Sequence, residues 1–225
     1  MKPLLVLRPE PGAAATTARA IAAGWHAIAA PLFAIVAEDW DAPDPAGFDA
    51  LMLTSAQAVR HAGDQLARYR HLPVYAVGEA TGVQALEAGF ADVRMGSADA
   101  ALLVTMMVRD GIGHALHLAG REHRVLDAAP IPIARRIVYA ANPVAELPGA
   151  ARAAVGQNAV ALIHSQRAGA VFAALLEKAG IDPAGVRVAA ISGAAGAGPW
   201  RTIRIADHPD DSGLLAAAAR LCEKD

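Results

Sequence analysis

The chain is poor in the residue types on which metal, redox and covalent chemistry most often rests. It has one cysteine, Cys222, in 225 residues. That excludes an intrachain disulfide and a cysteine metal cluster. Aromatic residues make up only 4% while hydrophobic residues make up 55%, so the expected core is alanine and aliphatic side chains, with helices packed finely on sheets. Charge of neither sign dominates: the net charge is -2, which gives no broad attraction to nucleic acid or to an anionic membrane. No 18-residue apolar run is free of charges and breakers, so no membrane-spanning helix is expected. Met1-Lys2-Pro3 leads straight into Leu4, and Arg8-Pro9-Glu10 interrupts the apolar run, which is not the pattern of a signal peptide. The expectation is a soluble, cytoplasmic protein.

Familiar catalytic signatures are missing too. No GxSxG elbow surrounds Ser165. The glycine-rich run Ser192 to Gly198 matches no dinucleotide fingerprint and lacks the lysine of a P-loop. The histidines have no metal-binding spacing such as HExxH. His117 and His123 come nearest to a pair and are set aside. The carboxylates form no convincing acid–base pair: Asp49 precedes a strand, Glu79 starts a helix, and Asp210 and Asp211 are read as caps of the last helix. If the chain is an enzyme, it acts on a reactive substrate and mainly positions it.

What the chain does have is an internal echo. Leu51-Met52-Leu53-Thr54-Ser55 runs from strand into helix, and so does Ala161-Leu162-Ile163-His164-Ser165. A second strand follows each: Val74 to Gly78 in one half, Val188 to Ser192 in the other. Strands alternating with helices imply an α/β fold with parallel sheets and flanking helices. The length suits one large or two small domains. The last unit has too few strands by itself, and borrowing the first ones completes it. The expected organisation is therefore a discontinuous first domain, 1–35 with 142–225, and an inserted domain, 36–141. The two similar lobes are joined by a two-stranded extended linker, with a ligand held between them. Helices are expected at 16–23, 56–69, 79–88, 100–109, 146–155, 168–179 and 212–221. Short helices are also expected ending near Ala129 and within Ser192 to Gly198. Trp40 is placed at the surface of the crossing; Trp25, Trp200 and Tyr75 are read as packing residues.

The polar residues at the strand ends are the candidates, each with a structural reading beside the functional one. Thr54 and Ser55 can cap a helix or hold an anion at its N-terminus, and His164 with Ser165 carries the same two readings. Gly78 lets a ligand approach the backbone closely, and Thr81 sits one turn further on. Gly120 and Arg121 follow another strand; Arg121 either pairs with a carboxylate or is solvated. Arg8 follows the first strand, where an arginine suits an anion. Tyr139, in an apolar connector, is either a hydrogen-bond donor to a leaving oxygen or a packed phenol. Three functions stay open on these residues alone: an enzyme, a binding or sensor protein for a small polycarboxylate, and a two-lobed sugar transferase.

The order of the motifs resembles the uroporphyrinogen-III synthase (HemD-like) family. The segments that carry the resemblance are Leu7-Arg8-Pro9, Leu53-Thr54-Ser55-Ala56, Val77-Gly78 with Thr81, and Leu118-Ala119-Gly120-Arg121. They continue with Val138-Tyr139, His164-Ser165 with Arg167-Ala168, Ile191-Ser192, and Ile205-Ala206-Asp207-His208-Pro209. The resemblance implies a cofactor-free, metal-free enzyme of tetrapyrrole synthesis. It would lose water from hydroxymethylbilane and close the ring with the last pyrrole inverted, through an azafulvene and a spiro-pyrrolenine. It further implies Tyr139 as the residue assisting hydroxyl departure. Arg8, Thr54, Ser55, Gly78, Thr81, Gly120, Arg121, Ser165 and Ser192 become substrate-binding positions. A monomer is implied, with transient contact to the enzyme of the preceding step as a further partner. The chain departs from the family at its last corner, where Ala195 stands opposite Thr81 in the internal comparison and members usually carry a threonine.

Overall fold

The computed structural model describes residues 2–96, 100–122 and 129–222. Strands and helices follow in the order β1 (Leu4–Val6), α1 (Gly12–Ala22), β2 (Ala27–Ala29), β3 (Phe33–Ala37), β4 (Ala50–Leu53), α2 (Ala56–His61), β5 (Val74–Val77), α3 (Glu79–Glu87), β6 (Val93–Gly96), α4 (Ala100–Arg109), β7 (Ala115–Gly120), β8 (Ile133–Pro143), α5 (Gly149–Gly156), β9 (Val160–Ile163), α6 (Gln166–Lys178), β10 (Arg187–Ala190), β11 (Thr202–Ile205) and α7 (Asp211–Cys222). The fold is α/β. Its residues divide into two units, Met1–Ala34 with Asn142–Asp225, and Ile35–Ala141.

The discontinuous unit holds a five-stranded sheet in the order β11-β10-β9-β1-β2, parallel throughout. Side chains alternate between its faces. Leu4, Val6, Leu162 and Ala189 pack under α1 and α7 with Ala20, Leu214, Ala217 and Leu221. Ile163 points the other way, where α6 lies close enough that only glycine fits at 169: a Cβ there would sit 3.5 Å from Ile163 and 2.7 Å from the Ala195 carbonyl. Both faces of the sheet are covered, which is why its strands read as continuous apolar runs.

The continuous unit holds a six-stranded sheet, β3-β8-β7-β4-β5-β6. From β8 to β6 every pairing is parallel. In β4, Leu51 and Leu53 face α2 and α3, and Ala50 and Met52 face α4 with Leu103 and Met107. The two extended segments expected as a linker are β3 and β8, and they form the edge of this sheet. Glu38 N–H donates to the Val138 carbonyl and Val144 N–H to the Leu32 carbonyl. Numbers rise on one strand as they fall on the other, so this pair is antiparallel.

In each unit the chain winds outward in both directions from a central pair of strands. That pair is β1 and β9 in the discontinuous unit and β4 and β7 in the continuous one. Such reversals leave a crevice beyond the carboxyl ends of the two strands, where open α/β sheets bind ligands.

Several local expectations are corrected. The helix expected over 56–69 stops at His61; Gly63, at φ 67°, turns the chain, and Asp64–Tyr69 continues as tight 3-10 turns. The helix expected from 146 begins at Gly149, because Pro148 disfavours helical backbone at the residue before it. The first helix begins at Gly12 rather than Thr16. The run Ser192 to Gly198 forms turns and no helix; Gly196 N–H donates to the Ser192 carbonyl, and the Trp200 indole to the Gly196 carbonyl. Trp40 is buried, not at the surface: its Nε1 donates to the Ala62 carbonyl at 2.9 Å and its ring stacks on Tyr69. His123 and most of the short helix expected before Ala129 lie outside the described residues.

Gly196 tests the packing. A Cβ there would meet Ile203 at 2.1 Å, Ile205 at 2.9 Å and Ala190 at 3.1 Å, whereas one at Gly149 meets nothing. In urea denaturation Gly196→Ala is expected to destabilise the protein by about 1–3 kcal/mol. Gly149→Ala, at a helix start, is expected to be neutral or stabilising by up to about 1 kcal/mol. Equal stabilities for the two variants would contradict this packing.

Candidate active site

In the continuous unit, polar residues gather at the carboxyl ends of β4, β5 and β7. Thr54 follows β4, and its Oγ1 lies 3.1 Å from Nε2 of His117, a buried residue on β7. The Arg135 Nε approaches the other ring nitrogen, Nδ1, at 3.4 Å. Arginine can only donate, so Nδ1 accepts and Nε2 carries the proton. Thr54 therefore accepts from His117 and keeps its own O–H to donate. Ser55 caps α2 by accepting from Gln57 N–H at 3.2 Å. Gly78 begins α3 at φ 75° with open space beside its Cα, so backbone conformation rather than crowding demands glycine there. Thr81 is buried in the first turn of α3.

Gly120 and Tyr139 are built against each other. The β7–β8 register shifts between Ala119 and Gly120, so that Gly120 faces Tyr139. A Cβ on Gly120 would lie 2.6–2.9 Å from the Tyr139 ring and phenol. Arg121 N–H donates to the Tyr139 carbonyl at 2.8 Å, and the Arg121 guanidinium pairs with Glu38 at 2.5 Å. The Tyr139 ring stands 6.3 Å from the imidazole of His61. Burial, and then the Arg60 charge, lower the pKa of His61, which keeps that ring neutral near pH 7.

The chain has three tyrosines, and their hydroxyls differ in kind. Tyr69 donates to the Pro43 carbonyl at 2.7 Å. Tyr75 donates to Asp110 at 2.9 Å and accepts from Arg94 at 2.6 Å; burial and then the Asp110 bond raise its pKa. The Tyr139 phenol makes no hydrogen bond among the described residues, and its side chain is only half buried.

In the discontinuous unit the same edge carries an ionic cluster around Asp211, the first residue of α7. Oδ1 accepts from Arg8 at 3.2 Å and from His164 Nε2 at 3.1 Å. Oδ2 accepts from Thr16 at 2.8 Å and also from Arg19. His164 Nδ1 is buried without a hydrogen-bond partner among the described residues. The His164 hydrogen bond leads in holding the Asp211 carboxyl well below its ordinary value; burial opposes this, while Thr16 and the Arg8 charge assist. Arg8 lies across the start of α1, where a Cβ at Gly12 would meet its guanidinium at 2.5–3.0 Å. Ser165 caps α6 by accepting from Ala168 N–H, and Ser192 accepts from Ala195 N–H in the turn after β10.

Sequence reasoning misses four of these residues. Asp211 is read there as a helix cap, but that role belongs to Asp210, which accepts from Gly213 N–H at 2.7 Å. His117 is considered there only in a pair with His123 that is set aside, whereas the structure gives it contacts with Thr54 and Arg135. Glu38 and His61 carry no sequence signal of their own. An imidazole in the otherwise apolar strand Ala115-Leu116-His117-Leu118 is the one cue that was available. Among the described residues, no group of three or more His, Cys, Asp or Glu is arranged to hold a metal ion.

Asp211→Asn is expected to cost about 1.5–3 kcal/mol at neutral pH, since it weakens hydrogen bonds to a charged acceptor. The sign of the pH dependence follows from the lowered folded pKa: the stabilisation is complete above the ordinary carboxylate value of 3.8 and disappears as pH falls below it. The gap in stability between the wild type and Asp211→Asn should therefore narrow below about pH 4. A gap that stays constant down to about pH 2 would contradict the charged cluster.

Comparison with known proteins gives three findings. Residues 14–216 match the sequence model of the family described as uroporphyrinogen-III synthase HemD. Solved structures of uroporphyrinogen III synthase from the extremely thermophilic bacterium Thermus thermophilus are also similar. The wild-type enzyme is 14% identical, with a TM-score of 0.40, over 99% of this chain and 97% of that one. A mutant selenomethionine derivative is 14% identical, with a TM-score of 0.43, over 100% of both chains. Curated protein sequences gave no match. No helix among the described residues is long and apolar enough to cross a membrane. The match over 14–216 spans most of the chain, and the chain belongs to the uroporphyrinogen-III synthase family, enzymes that close hydroxymethylbilane into uroporphyrinogen III.

Proposed function

We propose that Tyr139 assists the loss of the substrate's terminal hydroxyl and that the strand-end corners of the two units hold its carboxylate arms. The observation that carries this reading is the Tyr139 phenol, which makes no hydrogen bond among the described residues and lies beside the reversal point of its sheet, in contrast to the committed hydroxyls of Tyr69 and Tyr75. Tyr139 donates to the departing hydroxyl, which leaves as water while the pyrrole nitrogen lone pair forms the azafulvene. The substituted carbon of the terminal pyrrole then attacks, giving the spiro-pyrrolenine. That intermediate fragments and recloses with the ring inverted, and loss of a ring proton restores aromaticity. Atoms balance as one substrate giving one macrocycle and one water.

The carboxylate arms are held by Thr54, by the backbone N–H groups at the starts of α2 and α6 behind Ser55 and Ser165, and by the open backbone at Gly78. Ser192 offers a further hydroxyl at the end of β10. Arg8 contributes charge from the Asp211 cluster, and Arg121 does so while shared with Glu38. Thr81 orients the first turn of α3 from inside. Gly120 contributes by having no side chain, which leaves the Tyr139 ring its place. The protein works as a monomer in the cytoplasm, with transient contact to the enzyme that supplies its unstable substrate.

The test supplies freshly generated hydroxymethylbilane and separates the cyclised products by isomer. Type III product is expected to exceed the no-enzyme control. Type I alone, at the spontaneous rate and with folded protein, would overturn the assignment. Tyr139→Phe is expected to lower kcat/KM by about a hundredfold or more, the range of a lost general acid, with no change in stability. Gly120→Ala, which displaces the same ring, is expected to lose activity in the same direction. An unchanged kcat/KM in Tyr139→Phe would remove the acid role and leave the family assignment standing.

A further inference from the structure

The amino ends of β10 and β11 carry a pocket that the ring-closing chemistry does not use. It has a volume of about 290 Å3 and is lined by Arg187, Arg201, Thr202, Arg204, Arg220 and Leu221, among others. The strand register places two of these arginines on one face. Arg187 pairs with Thr202, and Ala189 with Arg204. Ala189 packs against α7, so the alternating residues Arg187 and Arg204 face α7 as well. The last turn of α7 brings Arg220 and Leu221 to the same place. This is the end of the sheet opposite Ser165 and Ser192, which follow the carboxyl ends of β9 and β10.

Four arginines line the pocket, and Arg187, only 8% exposed, is engaged in a contact of its own. Asp207 pairs with Arg220, and the Arg220 hydrogen bond holds the Asp207 carboxyl below its ordinary value. The carbonyl end of α7 adds about half a negative charge. Arg201 and Arg204 make no side-chain hydrogen bond or ion pair among the described residues. Arginines are the side chains that recognise carboxylate or phosphate through paired hydrogen bonds, and two of those lining this pocket have no such partner among the described residues.

We propose that this pocket is a second ligand site, one that binds a small oxyanion carrying at least two negative charges. The shared chemistry is that of phosphate and of di- or tricarboxylates. The site is separate from the ring-closing edge, so its ligand binds without displacing the substrate. Because α7 runs from Asp211 at that edge to Arg220 in the pocket, occupancy at one end of the helix bears on the element that holds the other.

Calorimetric titration of the full chain with phosphate, and separately with citrate, tests the site, with sodium chloride at matched ionic strength as the control. Saturable binding is expected. It should weaken about tenfold or more in Arg204→Gln and in Arg201→Gln, the loss for one charged hydrogen-bonding partner. Tighter binding of phosphate assigns the phosphate class, and tighter binding of citrate the carboxylate class. Both variants should close hydroxymethylbilane at the wild-type rate when no anion is added. Absence of saturable binding, or wild-type affinity in both variants, overturns the site. Glu223 and Asp225, next along the sequence, are the rival source of negative charge. Binding that appears only when Glu223→Gln and Asp225→Asn are combined would assign the pocket to the chain's own end and overturn the proposal.

Discussion

Leu4, Leu5 and Val6 lie in register beside Val160, Ala161 and Leu162, and this parallel pairing is the constraint from which the discontinuous unit follows. Without it, β9, β10 and β11 would expose a bare edge, and β1 and β2 would have no sheet. The pairing crosses most of the chain, yet closure entropy grows only with the logarithm of loop length, about 0.6 kcal/mol per doubling. The loop is also shortened from inside. Val144 N–H donates to the Leu32 carbonyl, so the β3–β8 ladder brings the two ends of the inserted segment together. Once that ladder forms, the discontinuous unit closes across a short gap rather than the whole length of the inserted chain.

The same pairing creates the polar edge. With β1 beside β9, Arg8 and His164 emerge from neighbouring strands at their carboxyl ends, and Asp211 at the start of α7 meets both. One carboxylate accepts from Arg8, Thr16, Arg19 and His164. Its negative charge also sits at a helix N-terminus, where it is favoured. The continuous unit solves the same geometric problem without a carboxylate. Its central strands β4 and β7 bring Thr54 to His117 through a hydrogen bond, and the bulge at Gly120 seats Tyr139. A polyanionic substrate suits both arrangements. Asp211 is neutralised by its own partners, and Thr54 is paired with an imidazole that brings no negative charge to repel an incoming arm.

The alternation of strands and helices is legible in the sequence because apolar runs are punctuated by glycines that must adopt positive φ. Gly89 and Gly180 end α3 and α6 in this way. Helix starts are legible where serine precedes them, as at Ser55 and Ser165. Neighbours in space are not legible. Asp211 stands 195 residues from Thr16 and 203 from Arg8, and no local pattern distinguishes it from Asp210. Trp40 is misread for the same reason: its place is set by the Ala62 carbonyl and by Tyr69, which the chain supplies only on either side of its turn at Gly63. Arg121 looks solvated or ligand-facing in sequence because Glu38, its partner, lies 83 residues away. Local rules yield elements and caps; electrostatic networks depend on sheet order, which only the folded chain supplies.

The titrating groups at the edges are largely committed to one another, as Asp211 is to Arg8, Arg19 and His164, and this fits the demands of the reaction. Hydroxymethylbilane closes without help to the symmetric isomer, so the enzyme's task is discrimination between two closures of similar intrinsic ease. A strong acid at the hydroxyl would speed both routes alike. Selectivity has to come from contacts that are better in the spiro transition state than in the direct one. Such contacts are positional: rigid strand ends, helix N-termini and a phenol fixed by the missing side chain at Gly120. On the roles proposed for them, Tyr139 sets how fast the hydroxyl departs, while the corners proposed to hold the carboxylates decide which carbon attacks. Rate and isomer ratio are then governed by different residues, and a change at Thr54 should shift the ratio of type III to type I more than it shifts the rate at which substrate is consumed.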